Sequence, residues 1–281
     1  MNRNRFVQQL ARLTPVRRGF WSRFLEPGVE IHPALFGKYQ FEMDLSLGFL
    51  QKIYFLKPTD YEPETLAAIR RWVKPGMTAL DIGAHTGFVT LCLASQVGER
   101  GRVCSFEPFP DNFRLLEKNV RSNRLPQVHL FPLALSDRSG TANLTRNPVN
   151  DGGHSIGNQQ QNPDLAGWDP EELKIQVPTK SLDEWLTEYN IDHVDFIKID
   201  VEGAEGLVFA GARKLLSSPA APVIICEVAD AAQRSVGQTE AGLRRILYGF
   251  GYHSFWLRKG YPELLPNHPV TGLQNVLFKK P

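Results

Sequence analysis

Cysteine is scarce in this chain of 281 residues: Cys92, Cys104 and Cys226 are the whole supply, with neither the close pairing of a disulfide framework nor the spacing of a metal knuckle. Each lies in an apolar run, so they read as reduced core thiols of a cytoplasmic protein. No apolar stretch approaches the ~18 residues that a membrane span needs. Charge of one sign is not in excess either. The 32 basic and 30 acidic side chains leave a net charge of +2, too balanced for a nucleic-acid-binding surface. No segment repeats, and no linker divides the chain. Met1 to Leu25 has no apolar centre and no small-residue cleavage site of a secretory signal.

What is present belongs to a globular enzyme: 42% hydrophobic and 22% charged residues, over a length that buries a substantial core. The first 25 residues are basic, with Arg3, Arg5, Arg12, Arg17, Arg18 and Arg23 preceding the first acid, Glu26. Phe6, Val7, Leu10 and Leu13 fall at helical spacing within them. Two readings stand: a helix packed on its own domain, or a peripheral contact with an anionic membrane or an acidic partner. Residues 26–60 mix Gly, Pro and aromatics without a clear period and are expected to form a lid or platform. Residues 1–60 are therefore set apart from a main domain over 61–281.

Glu64–Val73 reads as a helix begun by Pro63 and stopped by Lys74-Pro75-Gly76. From Thr78 onward, short apolar runs alternate with helical patterns. The predicted strands are Thr78–Ile82, Arg102–Phe106, Val128–Pro132, Val194–Ile199, Val223–Glu227, Tyr252–Leu257 and Leu273–Phe278. The predicted helices are Gly87–Val97, Pro110–Asn123, Ser181–Tyr189, Ala204–Leu216 and Thr239–Gly249. This rhythm predicts an α/β fold, a mostly parallel sheet with helices on both faces, whose ligands bind outside the carboxyl ends of the strands. Arg146 to Pro170 breaks it: rich in Asn, Gln, Gly and Pro, the segment is expected to be an inserted loop that binds something.

Three motifs end strands in acids. In Thr78-Ala-Leu-Asp-Ile-Gly-Ala-His-Thr-Gly-Phe88, a strand delivers Asp81 to a loop containing Gly83, His85 and Gly87 and then to a helix start. The spacing is not the G-x-G-x-x-G of a dinucleotide site. A carboxylate there repels a pyrophosphate but suits the ammonium and sulfonium of S-adenosylmethionine. The second motif, Val103-Cys-Ser-Phe-Glu-Pro108, places Glu107 where a strand-end acid accepts hydrogen bonds from ribose hydroxyls. The third, Phe196-Ile-Lys-Ile-Asp-Val-Glu-Gly-Ala-Glu205, brings Asp200 and Glu202 to the same edge. Glu205 is expected to stabilise the first turn of the next helix.

Asp-Ile-Gly-Ala-His-Thr-Gly, Phe-Glu-Pro, Ala-Leu-Ser-Asp (134–137) and Lys-Ile-Asp-Val-Glu-Gly-Ala-Glu, in this order, resemble the FkbM family of methyltransferases, over roughly Tyr61 to Phe278. The resemblance implies a class I methyltransferase (Rossmann-like) fold with a seven-stranded sheet whose last strand runs antiparallel. It implies O-methylation of a hydroxyl on a small molecule, a sugar or a natural-product intermediate. Carried over, Asp81, Gly83 and Gly87 hold the methionine part and Glu107 the ribose. Ala134, Ser136 and Asp137 follow the third strand, where the adenine edge lies.

A hydroxyl acceptor needs a base within hydrogen-bond reach. His154, in Asp151-Gly-Gly-His-Ser-Ile156, is the first candidate, because the inserted loop can close over the acceptor; Asp200 and Glu202 are the others. His85 is expected to contact cofactor or solvent instead. A divalent cation on Asp200, Glu202 and Asp137 is the weaker reading, and no metal is expected. Two competing functions remain: a nucleotide (NAD)-dependent oxidoreductase on the same fold, and a methyltransferase-like protein that binds without catalysis.

Overall fold

The computed structural model describes residues 3–13, 18–57, 61–157, 163–229, 232, 234, 236–237, 239–258, 261–264 and 274–281. Along the chain run α1 (Arg3–Leu13), α2 (Arg18–Ser22), β1 (Val29–Leu35), β2 (Tyr39–Asp44), α3 (Phe49–Leu56), α4 (Pro63–Trp72), β3 (Thr78–Ile82), α5 (Phe88–Val97), β4 (Arg102–Phe106), α6 (Pro110–Ser122) and β5 (Val128–Phe131). There follow β6 (Ala134–Ser136), β7 (Gly140–Thr145), β8 (Lys174–Ser181), α7 (Leu182–Glu188), β9 (Phe196–Ile199), α8 (Glu205–Ala210), α9 (Arg213–Ser217), β10 (Val223–Val228), α10 (Glu240–Gly249), β11 (His253–Arg258), β12 (Tyr261–Leu264) and β13 (Gln274–Lys279).

The main sheet has eight strands in the order β12-β11-β13-β10-β9-β3-β4-β5. β5, β4, β3, β9 and β10 are parallel, and β13 inserts antiparallel between β10 and β11. These seven strands are the expected class I arrangement. The eighth, β12, adds a hairpin at the edge. Alternate residues feed opposite faces of the sheet. Ala79 and Val103 join one core with α4 and α5, whereas Leu80, Ile82, Cys104 and Phe106 join another with α7, α8 and α10. A strand covered on both sides must be apolar throughout, which is why the predicted strands read as continuous runs.

The chain leaves β3 towards β4 and β5, then returns to lay β9 on the other side of β3. Strand order reverses at the β3/β9 boundary, and the carboxyl ends diverge there to leave a crevice.

Three features depart from the sequence reading. The predicted helix Ala204–Leu216 is two helices, α8 and α9, parted where Gly211 presses so closely on the Ser136 carbonyl that a Cβ would stand 2.1 Å from its oxygen. Residues 134–181, in which only the inserted loop Arg146–Pro170 was predicted and no strand, hold a second sheet of order β6-β8-β7, with that loop between β7 and β8. Polar residues on its exposed side disguised these strands. Leu273 and Gln159 to Gln161 lie outside the described residues.

The N-terminal segment shares the α5-side core. Phe41, Tyr54 and Phe55 pack there with Phe88, and the β1–β2 hairpin is strapped to α6 by Asn119 and Asn123, whose amides bond the backbone of Glu42 and Gln40. Arg3 pairs with Glu26 at 2.9 Å and Arg5 donates to the Ile31 carbonyl, so these two arginines serve their own fold. Cys92, Cys104 and Cys226 are free and buried, as read. Among the described residues no helix is long and apolar enough to cross a membrane.

Candidate active site

A cavity of about 370 Å³ opens over the carboxyl ends of β4, β3, β9 and β10. Each of these strands ends in an acid that lines it, in spatial order Glu107, Asp81, Asp200 and Glu227. Parallel strands deliver their last residues to one edge, so a recurrent strand-end acid becomes a row of carboxylates.

Asp81 is 1% exposed and accepts a hydrogen bond from the Thr90 hydroxyl of α5 at 2.5 Å. Burial pushes its carboxyl up to about 7, against the pull of Thr90 and Lys198. A buried acid in that state gains most from a cationic neighbour. Gly83 follows with φ +83°, and a Cβ there would stand 1.8 Å from the Asp200 carbonyl oxygen, so only glycine lets the β3 and β9 loops touch. His85 is left-handed at φ 51°, and its backbone N–H donates to Glu107 Oε2 at 2.8 Å. The other oxygen of Glu107 accepts the Phe109 N–H at 2.8 Å. Each carboxylate oxygen retains a lone pair for a further donor. Burial raises the Glu107 carboxyl, with His85 and the two backbone bonds opposing.

The His85 ring bridges the β3–α5 loop, which carries it, to the inserted loop. Its Nε2 is 3.0 Å from Asp151 Oδ2, an ion-pair contact bent away from good hydrogen-bond alignment. Burial disfavours the imidazolium, but Asp151, Glu107 and Asp200 outweigh it and raise the pKa. Asp151, 2% exposed, also accepts the Leu50 N–H at 2.8 Å and the Gln51 amide at 3.2 Å, so it ties α3 to the site.

At the far end, Lys198 donates to Asp200 Oδ2 at 3.1 Å. Carboxylate oxygens of Glu62, Asp200 and Glu227 lie within 4.8 Å of one another. Burial raises the carboxyls of both Glu62 and Glu227. Glu202 is left-handed at φ 54°, and burial, with repulsion from Asp200 and Glu205, pushes its carboxyl up to about 8. Tyr54 stacks on Phe88 at 4.8 Å between centroids and meets Tyr61 edge-on at 4.9 Å, walling this end. Glu62, Asp151, Lys198, Glu227, Tyr54 and Tyr61 were not among the predicted site residues. Glu227 carried a signal as the acid closing the predicted strand Val223–Glu227, and Lys198 and Asp151 stood inside quoted motifs without an assigned role.

His154 also lines the cavity, against Phe109 at 3.9 Å. Its Nδ1 accepts the Asn147 N–H at 2.9 Å, which puts the neutral ring's proton on Nε2, an atom with no partner among the described residues. Burial and the nearby His85 pull its pKa down to about 4. The ring therefore offers the cavity a donor. Glu205 accepts the Val201 and Gly203 N–H groups and caps the turn before α8.

Ala134 lines the cavity, but Ser136 and Asp137 do not. Ser136 is turned to Asp137, which lies 4.0 Å from Arg138 on the surface. The first two residues of β6, Ala134 and Leu135, line the cavity, and the strand then runs on into the second sheet, which carries Ser136 and Asp137 away from it. The carboxylates that converge with Asp200 are Glu62 and Glu227, and Asp137 is remote from them.

The chain matches the family described as Methyltransferase FkbM domain over residues 81–254, more than half its length. It is 30% identical over 152 residues to the 2-O-methyltransferase NoeI of Sinorhizobium fredii (strain NBRC 101917 / NGR234), covering 51% of this chain and 60% of that protein. It is 28% identical over 142 residues to Methyltransferase 1 of Beauveria bassiana (strain ARSEF 2860), covering 47% and 57%. The matches thus span less than two thirds of these relatives' own length. Among solved structures it resembles the O-methyltransferase from Bacillus cereus in complex with SAH, at 16% identity and a TM-score of 0.45, covering 78% of this chain and 81% of that one.

Proposed function

Because the chain belongs to the FkbM methyltransferase family, with S-adenosylmethionine as its cofactor, we propose that it transfers a methyl group to a hydroxyl of a small-molecule acceptor, such as a sugar or a natural-product intermediate. The observation that carries this reading is the row of strand-end acids along one cavity. Glu107 offers lone pairs for ribose hydroxyls, and Ala134 supplies an apolar wall beyond it. Asp81, buried and raised to about 7, gains from an ammonium or sulfonium beside it. The acceptor then falls at the Asp200–Glu227 end.

S-adenosylmethionine, when bound, supplies an electrophilic methyl carbon on a positively charged sulfur. The protein has to align the acceptor oxygen, take its proton and exclude water. Glu202 is the base of this reading: it lines the cavity, and burial pushes its carboxyl up to about 8. Asp200, paired with Lys198, orients the acceptor. His154, first expected as base, presents Nε2–H and so serves as a hydrogen-bond donor. The relative NoeI bears the name 2-O-methyltransferase, which supports a hydroxyl as acceptor.

Calorimetry with S-adenosylhomocysteine and with NAD, followed by labelled methyl transfer to a panel of hydroxyl acceptors, tests the reading. Association with the first ligand alone and label in an ether product are expected. Binding of NAD alone would put an oxidoreductase in its place.

A further inference from the structure

Lys198 and Asp81 are register neighbours on β9 and β3 and share the face covered by α5. Lys198 is 2% exposed, yet its Nζ reaches past the strand end to Asp200 Oδ2, two residues on along the same face. Ile225 is its partner on β10, so Glu227, also two residues further, rises beside it. Asp200, Glu62 and Glu227 are the three carboxylates whose charge favours the ammonium, and burial alone works against it. They are also the three whose oxygens lie within 4.8 Å of one another, a spread that fits the oxygen shell of a divalent ion. One of Glu62's oxygens, Oε2, is buried with no hydrogen-bond partner.

We propose that Lys198 is the resident cation of the acceptor end, an ammonium standing where three converging carboxylates would otherwise hold a divalent metal ion, and that it binds the acceptor oxygen. This rests on the methyltransferase reading above. An ammonium has three donors, of which one is committed to Asp200, so two remain for an acceptor hydroxyl. A fixed positive charge beside that oxygen favours its deprotonated form. The O–H proton passes to the Glu202 carboxylate, the oxygen's electron pair forms the bond to the methyl carbon, and the carbon–sulfur pair stays on sulfur. Charge balances without a metal: the sulfonium loses its positive charge as Glu202 becomes neutral.

The test uses the full-length protein, stripped with EDTA, and manganese alone as the probe. Free Mn²⁺ is followed by electron paramagnetic resonance, and S-adenosylhomocysteine binding by calorimetry, on wild type, Lys198→Ala and the double variant Lys198→Ala/Glu227→Gln. Wild type should leave Mn²⁺ free up to the order of 1 mM, the weak end of protein oxygen sites. Lys198→Ala should bind Mn²⁺ at least tenfold more tightly, and the double variant should lose that gain. Manganese binding by wild type that Glu227→Gln abolishes would overturn the proposal. So would a Lys198→Ala protein that binds S-adenosylhomocysteine but no manganese. If Lys198→Ala does not fold, Lys198→Gln takes its place, and the wild-type arm still decides. Failure of wild type to bind S-adenosylhomocysteine would count against the methyltransferase reading, while the manganese arms judge the lysine separately.

Discussion

The His85 imidazole and the Asp151 carboxylate meet at 3.0 Å inside the protein, one on the cofactor loop and the other on the inserted loop. Asp151 also accepts from Leu50 and Gln51, so one carboxylate joins three distant segments at the cavity wall. Removing one partner of a buried pair leaves the other uncompensated, at a cost of about 3–5 kcal/mol. Asp151→Ala should lose stability on that scale in guanidinium unfolding. Its affinity for S-adenosylhomocysteine should fall on the order of tenfold, because the loop carrying His85 and Glu107's bond is loosened. Unchanged affinity would mean that the clamp serves folding alone.

Stability should fall as pH rises. Asp81 and Glu205 are raised to about 7 and Glu202 to about 8, so the folded state holds protons that the unfolded chain releases near pH 4. Their penalty grows from about pH 4 to about pH 8. His85, also raised, acts in the same direction: its contribution is full below about pH 6.5 and is lost through its higher folded pKa. His154, lowered to about 4, works the other way only up to about pH 6.5, so thermal melts between pH 6.5 and 8 read the fall directly. Cofactor binding should release a proton near pH 7 as Asp81 ionises, seen as a buffer-dependent heat that Asp81→Asn abolishes.

Gly83 and Gly76 both have positive φ, +83° and +89°, but a Cβ at Gly76 meets open space whereas one at Gly83 meets the Asp200 carbonyl. Gly76→Ala should cost about 1 kcal/mol, the backbone term alone. Gly83→Ala should cost several times more and abolish S-adenosylhomocysteine binding, since the β3 and β9 loops must part. Equal losses would show that the contact does not matter.

His154 and Glu202 should separate kinetically. Glu202→Gln should lower kcat by about 10²–10⁴, the worth of a general base, and remove the rise in rate through about pH 8. His154→Ala should weaken acceptor binding and leave that pH profile in place. Loss of the rise in His154→Ala instead would restore the histidine as base.

The legible parts of this protein are those set by local pattern. Strand ends at Asp81, Glu107 and Asp200 stood out because apolar runs stop there, and the parallel topology turned them into one row. Glu62 and Tyr54 gave no such sign. They reach the cavity only because α3 and α4 pack across the α5 face, a long-range event that local pattern does not encode. Asp151 was quoted as the flank of His154, but its importance comes from Leu50 and His85, residues remote in sequence. The strands β7 and β8 were hidden by their polar outer faces. The metal cluster first considered failed at Asp137, because adjacency to β5 in sequence does not place a residue at the strand ends.

The strap formed by Asn119 and Asn123 across the β1–β2 hairpin fixes an N-terminal cap to the body through backbone contacts that any hairpin of the same shape accepts. The cap lends Phe49, Leu50 and Tyr54 to the cavity wall, while the strand tips supply its row of acids. Grafting a different cap onto the same α6 surface is therefore a route to new acceptors, provided that it keeps the Leu50 and Gln51 bonds that hold Asp151 against His85.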